Sequence, residues 1–158
     1  MPSIGWQGLV GGAIVSAELV GALSALITRG YTGFYNELVK PPFAPPGAVF
    51  PVVWAILYAL MGIGAYLVYS SDRDDTLRHT ALSVYAAQLA VNFAWSIIFF
   101  RFRLLPAAAV TAVLLAMLTA FMVWAFSRAD RRAAALNIPY LLWAVFAACL
   151  AAAAAVLN

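Results

Sequence analysis

Charge is scarce in this chain. Nine Lys and Arg and six Asp and Glu make up 9% of its 158 residues, against about 25% in a soluble domain. So little polar surface cannot cover a globule in water, which excludes an ordinary soluble domain. The one cysteine, Cys149, excludes an internal disulfide. The one histidine, His79, sits near Asp72, Asp74 and Asp75 with no thiol nearby. That is a poor transition-metal site, so no metal is expected and the DRDD run reads as a solvated loop. There is no Ser–His–Asp spacing, no Gly-rich phosphate loop and no pair of intramembrane acids, so no enzyme constellation and no resident cofactor are expected. The net charge of +3 is spread over several loops and forms no basic stripe for nucleic acid. The opening MPSIGWQG lacks a basic n-region, so no cleavable signal peptide is expected.

What the chain does have is length in apolar runs. It is 66% hydrophobic, with mean hydropathy +0.95. Runs beyond about 18 apolar residues read as membrane-spanning helices. Five occur, near residues 9–27, 49–69, 82–100, 106–126 and 136–157. All nine basic residues and five of the six acids fall outside them, as expected when a charge at the bilayer centre costs at least about 2.5 kcal/mol. The expectation is an all-α, multi-pass integral membrane protein: one domain, residues 1–158, with five transmembrane helices and no internal repeat.

Prolines are concentrated in one place. Five of the eight lie in VKPPFAPPGAVFPVVW, Val39 to Trp54. Each lacks an N–H, fixes φ and pushes its predecessor toward extended backbone. The first loop, residues 28–48, is therefore stiff and non-helical at a membrane boundary. Besides Pro41, Pro42, Pro45 and Pro46 it carries Tyr31, Phe34, Tyr35 and Phe43. Long loops in compact proteins are usually functional or disordered, and this composition argues against disorder. An interfacial aromatic belt and a structured lid over the bundle remain the two readings.

Helical spacing sorts the polar residues. In the third span Tyr85, Gln88, Asn92 and Trp95 form one stripe, with Ala86, Ala90 and Ala94 opposite. Small residues every fourth position let helices approach closely, so the alanine face is a candidate homodimer contact. Gln88 and Asn92 either bond to neighbouring helices or line a pocket. The second span puts Trp54, Tyr58 and Met61 on one face. The fifth does the same with Tyr140, Trp143, Ala147 and Ala151. Rings above alanines leave a hollow with flat aromatic walls, suited to a flat apolar ligand. The first span has an Ala13, Ala17, Gly21, Ala25 ridge beside Glu18, the one charged residue within a span. Glu18 has three readings: a functional carboxylate, a protonated partner of Gln88 or Asn92, or a residue nearer the interface.

The segments FYNELVKPPFAPPGAVFPVVWAILYALMG, YAAQLAVNFAWSIIFF and PYLLWAVFA, in that order, resemble the TspO/MBR family of tryptophan-rich sensory proteins and translocator proteins. The resemblance runs from about Tyr31 to Asn158. It implies a five-helix bundle, often a homodimer, whose pocket is closed by the first loop. It further implies binding of porphyrins such as protoporphyrin IX or haem. In some bacterial members it implies light- and oxygen-dependent porphyrin breakdown, with Trp54 and Trp143 at the matching positions. Tyr35 and Asn92 match the loop tyrosine and third-helix amide. Together with the face analysis this gives a candidate ligand-binding set: Tyr35, Pro45, Trp54, Tyr58, Gln88, Asn92, Trp95, Tyr140, Trp143 and Ala147. Lys40 and Arg29 are the nearest cations for porphyrin carboxylates. Phe34 and Phe43 stand where the family has tryptophan, so the lid is expected to close by apolar and proline packing. The animal cholesterol pattern is absent, since Leu150-Ala151-Ala152-Ala153 holds neither Tyr nor Arg. Porphyrin binding, photochemical breakdown, tetrapyrrole or sterol transport, and a purely structural role are the functions to separate. Transport ranks lower, because the chain lacks an inverted repeat and broken helices.

Overall fold

The computed structural model describes residues 6–30 and 33–158, with side chains from residue 12 onward. Tyr31 and the first five residues of the stretch read above for a signal peptide lie outside the described residues. Five long helices are present: α1 (Trp6–Thr28), α3 (Val49–Tyr69), α4 (Asp75–Ser96), α5 (Leu105–Ala129) and α6 (Arg131–Leu157). A single-turn helix, α2 (Phe34–Glu37), lies in the first loop. Four helical stretches, Val49–Tyr69, Asp75–Arg101, Leu105–Ala129 and Arg131–Leu157, are long and apolar enough to cross a membrane. The described part of α1 adds a shorter apolar segment, Gly12–Thr28. Helices satisfy their own backbone groups where no water is available, which is why so apolar a chain takes this form. The protein is a multi-pass integral membrane protein.

α3 keeps the bounds read from sequence, while α4 and α6 begin earlier than expected, and local capping explains both of those extensions. Asp74 accepts a hydrogen bond from Thr76 N at 3.1 Å, so α4 begins at Asp75, the last residue of the DRDD run, and takes in residues 76–81, which the sequence reading left between spans. An N-cap aspartate satisfies an orphan N–H, and Asp75 complements the dipole in the first turn. Between α5 and α6 only Asp130 interrupts the helix. It accepts from Arg132 N at 2.7 Å and Ala133 N at 3.4 Å. The hydrogen bond from the Arg132 side chain does most to hold its carboxyl below the usual carboxylate range. The cap is thus present above the ordinary carboxylate pKa and is lost only as pH falls through the depressed one. The connection expected between the fourth and fifth spans, residues 127–135, is therefore a one-residue break. At the other end of α4 the chain widens into a π-helical stretch, Ile97–Arg101, a device often found at functional sites.

The helices pack in a ring. α1 lies on α3, α3 on α6, α6 on α5, α5 on α4, and α4 with its π-helical turn returns to α1. The small-residue ridge of α1 makes the first contact possible. A Cβ added at Gly62 would meet Ile14 Cα at 2.6 Å and Ala13 O at 2.8 Å, backbone atoms with no room to yield. A Cβ at Gly21 would fall 2.5 Å from the Tyr58 ring. The core of this end of the bundle collects Leu57, Tyr58, Met61, Val68, Met122, Phe126 and Tyr140. A second cluster, Phe34, Tyr35, Leu38, Phe99, Ala108, Leu150 and Ala154, joins the first loop to the ends of α4, α5 and α6.

Gly62→Ala is expected to force α1 away from α3. Overpacking of this kind costs about 1–3 kcal/mol, read as a lower thermal midpoint in detergent. An unchanged midpoint would mean that the α1–α3 contact is looser than described.

Candidate functional site

Inside the ring, toward the first loop, lies a cavity of about 700 Å³. Its walls follow the helical spacing. α1 contributes Glu18, Gly21, Ala25 and Thr28; α3 contributes Pro51, Trp54 and Tyr58; α4 and its π-helical turn contribute Asn92, Trp95, Ser96, Phe99 and Phe100; α6 contributes Ala147, Ala151 and Ala154. Glu18, Tyr58, Asn92 and Ala147 are the wall residues farthest along their helices from the loop, so they form the floor. The widened turn brings Phe99 and Phe100 to the same wall, where Trp95 stacks on Phe99 at 5.2 Å. Trp95 Nε1 donates to Ala108 O at 3.1 Å, which fixes the indole against α5.

A hydrogen-bonded chain runs from the floor into the core. Tyr58 OH donates to Asn92 Oδ1 at 3.3 Å, Asn92 Nδ2 to the Tyr140 hydroxyl oxygen at 3.2 Å, and Tyr140 OH to Gln88 Oε1 at 2.7 Å. Gln88 Nε2 closes the chain on Met61 Sδ at 3.5 Å. The alternatives for the two amides of α4 are thereby separated. Gln88 serves helix–helix bonding alone, while Asn92 does this and also faces the cavity.

The roof is the proline loop. Tyr35 OH donates to Pro45 O at 2.7 Å, and burial pushes the Tyr35 phenol up, so it remains a donor. Lys40 Nζ donates to the carbonyls of Tyr35, Asn36 and Leu38 at 3.1, 3.2 and 3.2 Å and lies 5.1 Å from the Tyr35 ring centre. Its charge thus gathers the C-terminal carbonyls of α2. Two further ties hold the loop. Asn158 accepts from Val39 N at 2.9 Å and donates to Val39 O at 3.0 Å, in the manner of a β-bridge. Arg103 lies 3.7 Å from Glu37 and over the Phe34 ring at 4.7 Å. The roof therefore uses polar ties as well as the expected apolar packing, because a loop of this length at the membrane edge has many carbonyls to satisfy. Phe34 is buried against Phe99, whereas Phe43 is 54% exposed and meets Phe146 edge-on.

Of the residues expected from sequence, Tyr35, Trp54, Tyr58, Asn92, Trp95 and Ala147 line the cavity. Four stand back from the wall. Gln88 and Tyr140 are fully buried in the hydrogen-bonded chain. Pro45 offers its carbonyl to Tyr35. Trp143 packs edge-on behind Phe50 at 5.7 Å, its indole N–H buried and without a partner among the described residues. Sequence reasoning missed Phe50, Ser96, Phe99 and Phe100 on the wall. The first and the two last are visible only as apolar residues near span ends, where nothing distinguishes wall from lipid face. It also left Lys40 free for a ligand carboxylate, whereas Lys40 is already bound to three carbonyls; Arg29 is exposed and off the wall.

Residues 13–157 match the TspO/MBR family. The tryptophan-rich sensory protein of Cereibacter sphaeroides is 37% identical over 114 residues, 72% of this chain and 70% of that protein. The translocator protein of Bos taurus is 36% identical over 145 residues, 90% of this chain and 85% of that protein. Protein CrtK of Rhodobacter capsulatus is 32% identical over 136 residues, 86% and 84% of the two chains.

Asn158→Ala removes both bonds to Val39, each with a net value of about 0.5–1.5 kcal/mol. Amide exchange at Val39 and Tyr35 is expected to accelerate while α3 and α6 keep their protection. Unchanged exchange in the loop would show that Asn158 does not hold the roof.

Proposed function

The chain belongs to the TspO/MBR family, and on that premise we propose that it is a membrane receptor for a flat, apolar ligand of the porphyrin class, protoporphyrin IX or haem. One observation carries this reading: the cavity under the proline loop, whose volume of about 700 Å³ lies within the roughly 300–1,000 Å³ usual for small-molecule sites. Trp54, Tyr58, Trp95 and Phe99 present ring faces and edges to it. Gly21 and Ala25, Ala147 and Ala151 leave the width that a planar ring system needs. Burial of a macrocycle against such walls is driven by apolar area at about 25 cal/mol per Å². Its propionates would stay at the loop end, where water is nearest.

Light- and oxygen-dependent breakdown of the ligand is the second reading. Trp54 faces the cavity, as does Trp95, and lies against Tyr58 at 5.5 Å and Tyr140 at 6.1 Å, so reactive species formed there would meet these indoles. Trp143 lies one layer further back, behind Phe50.

A second copy of the chain is the proposed protein partner. Ala86, Ala90 and Ala94 are exposed on the outer face of α4, where close helix approach is sterically open. Ala90→Trp is expected to shift the protein from dimer to monomer by light scattering in mild detergent. A wild-type protein that is monomeric at every concentration would remove this contact.

Protoporphyrin IX is expected to quench tryptophan fluorescence saturably. Trp95→Phe and Trp54→Phe should each weaken affinity up to about tenfold, or about 1.4 kcal/mol. Trp124→Phe is the control, since Trp124 is 55% exposed on the outer surface. Equal affinities in all three variants would place the ligand elsewhere. Illumination of the same samples tests the second reading. It fails if porphyrin in detergent alone is consumed as fast as the complex.

A further inference from the structure

Glu18 has no role in the reading above, yet it occupies a telling place. It lies at the middle of the 23-residue α1, and its side chain borders the cavity. The α1 wall rises from Glu18 to Thr28 at the loop, about 15 Å of helix. Glu18 is therefore at the floor, deep in the span, beside Tyr58, whose ring rests on Gly21 one turn away. Among the described residues its carboxylate forms no hydrogen bond and no ion pair.

The rest of the floor is already committed. The Tyr58 hydroxyl proton goes to Asn92 Oδ1, which leaves the phenol oxygen as an acceptor. Asn92 uses its carbonyl on Tyr58 and an amide proton on Tyr140. The floor thus offers the Tyr58 phenol oxygen as an acceptor and the second Asn92 amide proton as a donor, and holds one potential negative charge, Glu18. The cation on the cavity wall, Lys40, is at the opposite end and bound to three carbonyls. A carboxylate enclosed by an apolar ligand loses its water, and a buried charge is costly unless it is paired. A ligand that brings an ammonium or protonated ring nitrogen to the floor supplies the pair as a charge-assisted hydrogen bond. A ligand that brings a carboxylate there meets like charge.

We propose that Glu18 is the specificity-determining residue of this cavity, selecting flat apolar ligands that carry a protonated nitrogen on the edge that enters first. The inference rests on the reading of the cavity as the site of a flat apolar ligand.

The test compares two probes of one ring system in nonionic detergent at neutral pH: 9-aminoacridine, a cation, and acridine, which is neutral. Each is titrated into wild-type protein, Glu18→Gln and Glu18→Asp, with protoporphyrin IX quenching measured in parallel. Wild type is expected to prefer the cation by roughly tenfold, the scale of one charge-assisted bond. Glu18→Gln, close to isosteric, should bind both acridines alike. Glu18→Asp should retain part of the preference, which separates charge from misfolding. Wild type that binds protoporphyrin but shows no cation preference, or a preference that survives in Glu18→Gln, overturns the inference and leaves the cavity reading standing. Wild type that binds neither protoporphyrin nor the acridines overturns the cavity reading, and this inference with it.

Discussion

The hydrogen bonds from Tyr58 to Asn92, Asn92 to Tyr140 and Tyr140 to Gln88 tie α3, α4 and α6 together in the middle of the bundle. In a bilayer neither lipid nor water is on hand to satisfy these groups, so each helix must turn its polar residue toward the others. That requirement sets the rotation of three helices about their axes. Everything on the same faces follows: Trp54 above Tyr58, Trp95 and Phe99 above Asn92, Ala147 and Ala151 above Tyr140. The cavity occupies the space between those faces, toward the loop, where small residues on α1 and α6 replace the large ones that fill the core below.

The roof solves a different problem. A chain leaving α1 and entering α3 at the membrane edge has backbone carbonyls that no helix satisfies. Prolines remove donors, Lys40 gathers three carbonyls, and Asn158 bridges both backbone atoms of Val39. The cation over the cavity is therefore occupied by the fold. Ring faces and the single carboxylate at the floor remain as the main features of the cavity wall. This electrostatic asymmetry, a carboxylate at the floor and a spent cation at the roof, distinguishes the cavity from a generic apolar hollow.

Much of this was legible residue by residue. The stripe Tyr85, Gln88, Asn92, Trp95 pointed inward as its spacing required, and Gln88 and Asn92 are indeed almost wholly buried. The alanines behind it lie on the outer face. The prolines marked the roof, and three motifs placed the chain in its family. Loops were less legible. The Asp74 and Asp130 caps turned two expected connections into helix, because a short charged segment reads alike whether it is solvated coil or the first turn of a helix.

Amino-acid order alone was enough for the number of spans, the inward stripe of α4 and the non-helical character of the proline run, since these depend on hydropathy and on local geometry. Tertiary structure decided which residues on each inward face reach the cavity. Tyr140 and Trp143 share a stripe with Ala147, yet Tyr140 is in the core, Trp143 stands behind Phe50, and Ala147 lies on the wall. Helical periodicity specifies an angle around the axis. Depth is set by the axial offset of neighbouring helices and by where the loop closes, and both depend on contacts between residues far apart in the chain, such as Val39 with Asn158 and Tyr58 with Asn92.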